Sequence, residues 1–171
     1  MGSRTFDVFW MLMTHKVTNI TLYIFLVFIY FKQSGLKSFL ILLGFVGLLI
    51  LVTDQVTNLF KISFERLRPC YEPSLKNMVR LVKSSCGGRY GYFSGHASNS
   101  FALAVFFSII FRNKYNRLPY LLLFVAFLVA YSRIYIGVHY PLDVISGIAF
   151  GTLVGMVFYF IWRRFNCRSL V

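Results

Sequence analysis

Five long apolar stretches, at 14–31, 38–60, 97–111, 118–132 and 141–162, dominate this sequence and leave it few ways to fold. The first, as a helix, reaches about 27 Å, enough for a bilayer core with some local thinning. Hydrophobic residues make up 58% of the 171 and charged residues only 13%, where a soluble domain carries about 25% charged. With 20 Phe, 11 Tyr and a mean hydropathy of +0.69, a soluble domain of this length has no room to hide its apolar surface. The same composition excludes intrinsic disorder. The fold expected is all-α: a polytopic membrane helix bundle of about five transmembrane helices plus interfacial helices, read as one membrane-embedded domain over 1–171. Residues 5–13 carry Asp7 and Trp10 and read as an interfacial helix rather than a span. The first span has no small-residue cleavage site after it, which argues against a removed signal peptide.

Charge is the second constraint. Eighteen Lys and Arg against five Asp and Glu leave a net +13 on a chain with little polar surface. Such an excess suits a partner of concentrated negative charge, and in a membrane chain that means anionic or phosphorylated lipid rather than nucleic acid. With five spans, the turns at 32–37 and 112–117 and the C-terminus share one face. They carry eight basic residues, among them Arg163, Arg164 and Arg168, and no acid. The other face holds the N-terminal segment, 61–96 and 133–140, with the remaining ten basic residues and, counting Asp54 and Asp143 at the adjoining span ends, all five acids. Raw counts do not orient the chain, but very short basic turns are where the positive-inside rule is strongest, so the first face is expected in the cytoplasm.

Three polar clusters fall at span ends on the second face, and the alternation of spans alone brings them together. Lys61 and Arg68-Pro69 follow the second span; Ser94-Gly95-His96 precede the third; Ser132-Arg133, His139 and Asp143 bridge the fourth and fifth. Lys61, Arg68 and Arg133 offer three cations to the oxygens of a phosphoryl group, and Ser94 adds a hydroxyl. Gly95 permits close backbone approach where a helix N-terminus favours an anion. Of the two histidines, one neutral ring can attack phosphorus while the other gives a proton to the leaving oxygen. Asp143, four residues after His139, can hold its ring and fix the tautomer. No carboxylate cluster suits Mg²⁺ or Ca²⁺, the three Cys and three His lack zinc spacing, and no cofactor is expected.

Lys-x6-Arg-Pro at 61–69, Ser-Gly-His at 94–96 and Ser-Arg-x5-His-x3-Asp at 132–143 resemble the three signature motifs of the type 2 phosphatidic acid phosphatase (PAP2) superfamily. The resemblance covers about 38–162. It implies phosphate binding by Lys61, Arg68, Ser94, Gly95 and Arg133, with His139 as nucleophile, His96 as general acid and Asp143 as partner of the nucleophile. It further implies a metal-independent phosphatase acting through a phosphohistidine. Phe93 stands where the second motif usually carries Pro, which removes a fixed φ before Ser94.

Simpler readings compete with these. Asp143 suits the first turn of a helix opening at Pro141, and Lys61 and Arg133 suit snorkelling span ends, though neither accounts for the histidines. Asp54, an acid near the end of an apolar span, is expected to pair with a site cation; His15 reads as interfacial. The period of 74–83 puts Leu75, Met78, Val79 and Val82 on one face and Lys76, Arg80 and Lys83 on another, predicting a basic interfacial helix. Cys70 and Cys86 share a loop on the face read as extracytoplasmic and are expected to form a disulfide, the alternative being two free thiols.

The function expected is hydrolysis of a lipid phosphomonoester or pyrophosphate in a bacterial inner membrane, the site facing the periplasm. A lipid A 1-phosphatase is the substrate reading preferred, with undecaprenyl pyrophosphate and phosphatidylglycerol phosphate as alternatives. A non-catalytic headgroup-binding protein would also keep the cations, but would have no need of both histidines and the aspartate. The sequence does not define an oligomeric state.

Overall fold

The computed structural model describes residues 3–75 and 77–167, so Lys76 and Arg168 lie outside the described residues. Five helices account for most of the chain: α1 (Arg4–Thr14), α2 (Lys16–Phe64), α3 (Gly95–Phe111), α4 (Leu118–Tyr135) and α5 (Pro141–Cys167). α2, α4 and α5 are long and apolar enough to cross a membrane, and α3 is a shorter apolar helix.

α2 supplies two crossings. A straight helix of its 49 residues would hold Lys16 and Asp54 nearly 60 Å apart, at about 1.5 Å per residue. Instead both residues line one cavity. The reversal occurs at Gly35, whose φ of 73° and ψ of 169° belong to glycine alone. Two antiparallel arms result, with Phe31 packed against Phe39 across the bend at 4.8 Å between centroids. The turn expected at 32–37 is therefore a single-residue break in an otherwise continuous helix. Five crossings, as expected, follow from five helices because α2 counts twice and α1 is only 11 residues long.

α3 is the central helix, packed most extensively on α5 and α4. Its residues are buried nearly all round, with Ala97, Ala102, Ala104, Phe106 and Phe107 fully enclosed. Close approach to α5 depends on small residues: a Cβ on Gly147 would stand 2.6 Å from the Ser94 carbonyl oxygen, and one on Gly151 would overlap the Ser98 backbone. Around this centre, Phe28, Leu40, Leu51, Phe124, Phe127, Ile145 and Phe160 turn outward. An apolar exterior of this kind is the surface a bilayer solvates.

α1 lies against the end of α4, its Trp10 between Tyr131 and Tyr135, with Phe6, Val8 and Leu12 exposed. This is the interfacial helix expected of 5–13. The second interfacial helix does not form among the described residues of 74–83. Residues 73–75 and 77–78 form turns, closed by the N–H groups of Leu75 (to Glu72), Met78 and Val79 (both to Leu75). The chain then continues without regular secondary structure, and the Val82 N–H bonds the Ile136 carbonyl rather than one four residues back. Leu81 and Val82 pack with Ile136, Val138 and Cys86, so of the four apolar residues whose spacing imitated a helix Val82 is drawn into a tertiary cluster, while Met78 stays exposed.

Candidate active site

α2 stops at Glu65, which enters the left-handed region at φ 43° and turns the chain back over the bundle. Residues 66–68 then pair antiparallel with 89–91, through Arg68 N–H to the Arg89 carbonyl and Gly91 N–H to the Arg66 carbonyl. This short pairing brings the first cluster onto the second. Arg68 is buried and aimed by backbone: its Nε donates to the Tyr90 carbonyl and its Nη1 to the Cys86 carbonyl, at 3.2 and 3.0 Å. Cys70 and Cys86 are bonded, their Cα atoms 6.4 Å apart, so a covalent link closes the loop that supplies one of those carbonyls.

Ser94 caps α3 through its hydroxyl, which accepts from the Ala97 N–H. Phe93, in the position of the family's Pro, is buried against Phe60 and Phe150, and the Tyr92–Phe93 peptide is cis. A Cβ on Gly95 would lie 3.8 Å from the Lys61 ammonium nitrogen, which places that cation at the mouth of α3. His96 sits in the first turn and faces a cavity between α2 and α3. Arg133, in the last turn of α4, is buried and donates to the Thr14 hydroxyl at 2.5 Å, while its Nε has no partner.

Asp143 joins the three clusters. One carboxylate oxygen accepts from the Tyr140 N–H at 3.1 Å and faces His139 Nδ1 at 3.3 Å; the other accepts from Arg66 at 2.9 Å. Its carbonyl takes the Ser94 N–H at 2.9 Å. The Tyr140 contact is the helix-opening role of a first-turn acid, and the His139 contact is the histidine-orienting role; the same carboxylate fills both. With Nδ1 donating to the carboxylate, His139 keeps its lone pair on Nε2. Burial pulls the ring down to about 4, against the upward pull of the Asp143 bond, and Arg68 and Arg133 add to the depression. His139 is therefore neutral at pH 7 in a pocket of positive charge.

All eight residues expected for phosphate binding and catalysis thus lie at one end of the bundle. Arg66 was not among them. It holds Asp143 and lies 4.4 Å over the Tyr140 ring, and its position two residues before Arg68 was the only available signal. Asp54 departs from expectation: it accepts from the Asn99 side-chain amide at 2.8 Å, and no cation lies within ion-pair distance among the described residues.

A membrane helix bundle that gathers three cations and two histidines at one end is the build of an integral membrane lipid phosphatase. The chain belongs to the PAP2 superfamily, whose family model matches residues 38–167. It is 40% identical over 165 residues to the lipid A 4'-phosphatase of Porphyromonas gingivalis, covering 96% of this chain and 69% of that one. It is 34% identical over 168 residues to the lipid A 4'-phosphatase of Bacteroides thetaiotaomicron, covering 97% and 74%. Both names specify the 4'-position and not the 1-position preferred from sequence. Among solved structures, a transmembrane PAP2 type phosphatidylglycerolphosphate phosphatase from Bacillus subtilis superposes with a TM-score of 0.72 over 98% of this chain and 80% of that one, at 18% identity.

Proposed function

We propose that this protein removes the 4'-phosphate from a lipid A-type glycolipid at the extracytoplasmic leaflet of a bacterial inner membrane, through a phosphohistidine on His139. The observation that carries the chemistry is the Asp143–His139 contact, which leaves Nε2 free beside Arg68 and Arg133. The substrate position rests on the two relatives named for it. Residues 1–171 act as one domain, with its motif core at 38–162.

In the first step Nε2 attacks phosphorus, the Nε2–P bond forms, and the bond to the lipid oxygen breaks as His96 gives that oxygen its proton. Lys61, Arg68, Arg133, the Ser94 hydroxyl and the N–H groups at Gly95 hold the phosphoryl oxygens while charge develops on them. Asp143 stabilises the ring as it becomes cationic. In the second step water, losing a proton to the now neutral His96, attacks phosphorus. The P–N bond breaks, inorganic phosphate leaves, and both histidines return to their starting states.

The test is phosphate release by purified protein in detergent with a chelator present, from bis-phosphorylated lipid A, phosphatidylglycerol phosphate and undecaprenyl pyrophosphate, compared as initial rates. Mass analysis of the lipid A product should show loss at the 4'-position. Release from the 1-position, or a faster rate on either other lipid, would overturn the substrate reading. His139→Ala should release no phosphate; activity above trace would refute the nucleophile.

A further inference from the structure

Beside the phosphate cluster lies a cavity of about 300 Å3 whose wall includes Lys16, Asp54, His96 and Asn99, and, deeper along the same helices, Ile50 and Leu103. His96 belongs to both sites, so the cavity adjoins the place where the scissile phosphate would sit. The lining changes with depth. Lys16, Asp54, His96 and Asn99 lie toward the headgroup ends of α2 and α3, whereas Ile50 and Leu103 lie one to two turns further into the bundle.

The polar groups here have spare capacity. Asp54 receives one hydrogen bond, from Asn99, and no cation pairs with it among the described residues. Asn99 Oδ1 is buried without any partner. A buried acceptor with nothing to accept is costly unless a ligand supplies the donor. A carboxylate in this position repels phosphate, so the cavity is no extension of the phosphate site. It presents acceptors to a ligand that brings N–H or O–H donors, with a cation near one end and apolar walls below.

We propose that this cavity is a second subsite for the lipid, taking the N-acylated, hydroxylated sugar next to the scissile phosphate, with Asp54 and Asn99 accepting from its amide and hydroxyl groups. The acyl chain on that amide descends along Ile50 and Leu103. A diacylglycerol phosphate has its hydroxyls esterified and offers no donor there, so the subsite discriminates between glycolipid and glycerolipid phosphates. A site built to bond a donor rejects the analogue that lacks it far more strongly than an apolar pocket rejects a change of shape. The inference rests on the glycolipid reading above.

The experiment measures kcat/KM on lipid A and on phosphatidic acid in the same detergent, for the unaltered protein and for Asp54→Ala and Asn99→Ala. The ratio of lipid A to phosphatidic acid should fall about tenfold in each variant. A fall smaller than threefold, including equal loss on both lipids, overturns the subsite. Leu103→Trp narrows the cavity from its apolar wall and leaves the Asp54–Asn99 pair in place. It should lower the ratio in the same direction, and it decides the matter if the polar variants do not fold. Failure of the glycolipid reading appears instead in the unaltered protein, as no phosphate released from lipid A, and removes both proposals together.

Discussion

At the scale of single residues, Asp143 and Arg66 carry the argument for a prepared nucleophile. Removing an outer partner of a catalytic group typically costs 10–100-fold, so Arg66→Ala should lower kcat by about tenfold or more with little change in KM. Arg66→Lys should recover part of the loss, because it restores charge but not the planar fork. A purely structural role for Arg66 would leave the midpoint of the His139 titration unmoved; a positioning role shifts it. In the unaltered protein, NMR of the His139 ring should give a midpoint near 4, where burial holds it. The same depression makes folding depend on pH. The unfolded chain's histidine takes a proton near 6.5 while the folded one stays neutral to about 4, so the unfolded state binds more protons between those values. Stability from this group is complete above 6.5 and is lost as pH falls toward 4. Detergent melting curves should show that acid slope, and His139→Gln should make it shallower.

At the scale of elements, two short features decide whether the helices reach their places. Gly35 has open space around it, so Gly35→Ala tests the backbone alone. A residue with a Cβ held at that φ costs about 1–3 kcal/mol, and the variant should melt at a lower temperature while keeping its fold. The disulfide holds the loop that aims Arg68. By the chain-entropy estimate it is worth about 3 kcal/mol, so Cys86→Ser should destabilise the protein and raise KM. Mass analysis of unreduced protein after alkylation should find neither Cys70 nor Cys86 modified. Elements differ in how plainly the sequence showed them. Spans stand out because apolar content over some twenty residues is a local property that the bilayer enforces on every segment alike. Segment 74–83 did not, because its helical spacing is outweighed by a backbone bond from Val82 to Ile136 and by packing on Val138, partners more than fifty positions away. The motif residues were legible as chemical types at fixed spacing. Arg66 and the Asp54–Asn99 pair were not, since each depends on a contact between distant segments that no local pattern encodes.

At the scale of the whole molecule, the proposed orientation puts the site outside the cytoplasm and can be tested directly. The turn at 112–117 is basic and lies opposite the site, whereas 61–96 covers it. In cells carrying the chain with Cys167 replaced by serine, Asn77→Cys should react with a membrane-impermeant maleimide and Lys114→Cys only with a permeant one. The reverse pattern would place the site in the cytoplasm. The junction at Asp143 also affects how related chains are compared. Its carboxylate opens α5 and anchors Arg66, so the side chain ties the segment that follows α2 to the start of α5. A descendant that gave up catalysis and kept the fold would still be under selection to retain this aspartate. Its presence in another chain is a record of shared architecture, and the histidine four positions before it is the residue that reports on chemistry.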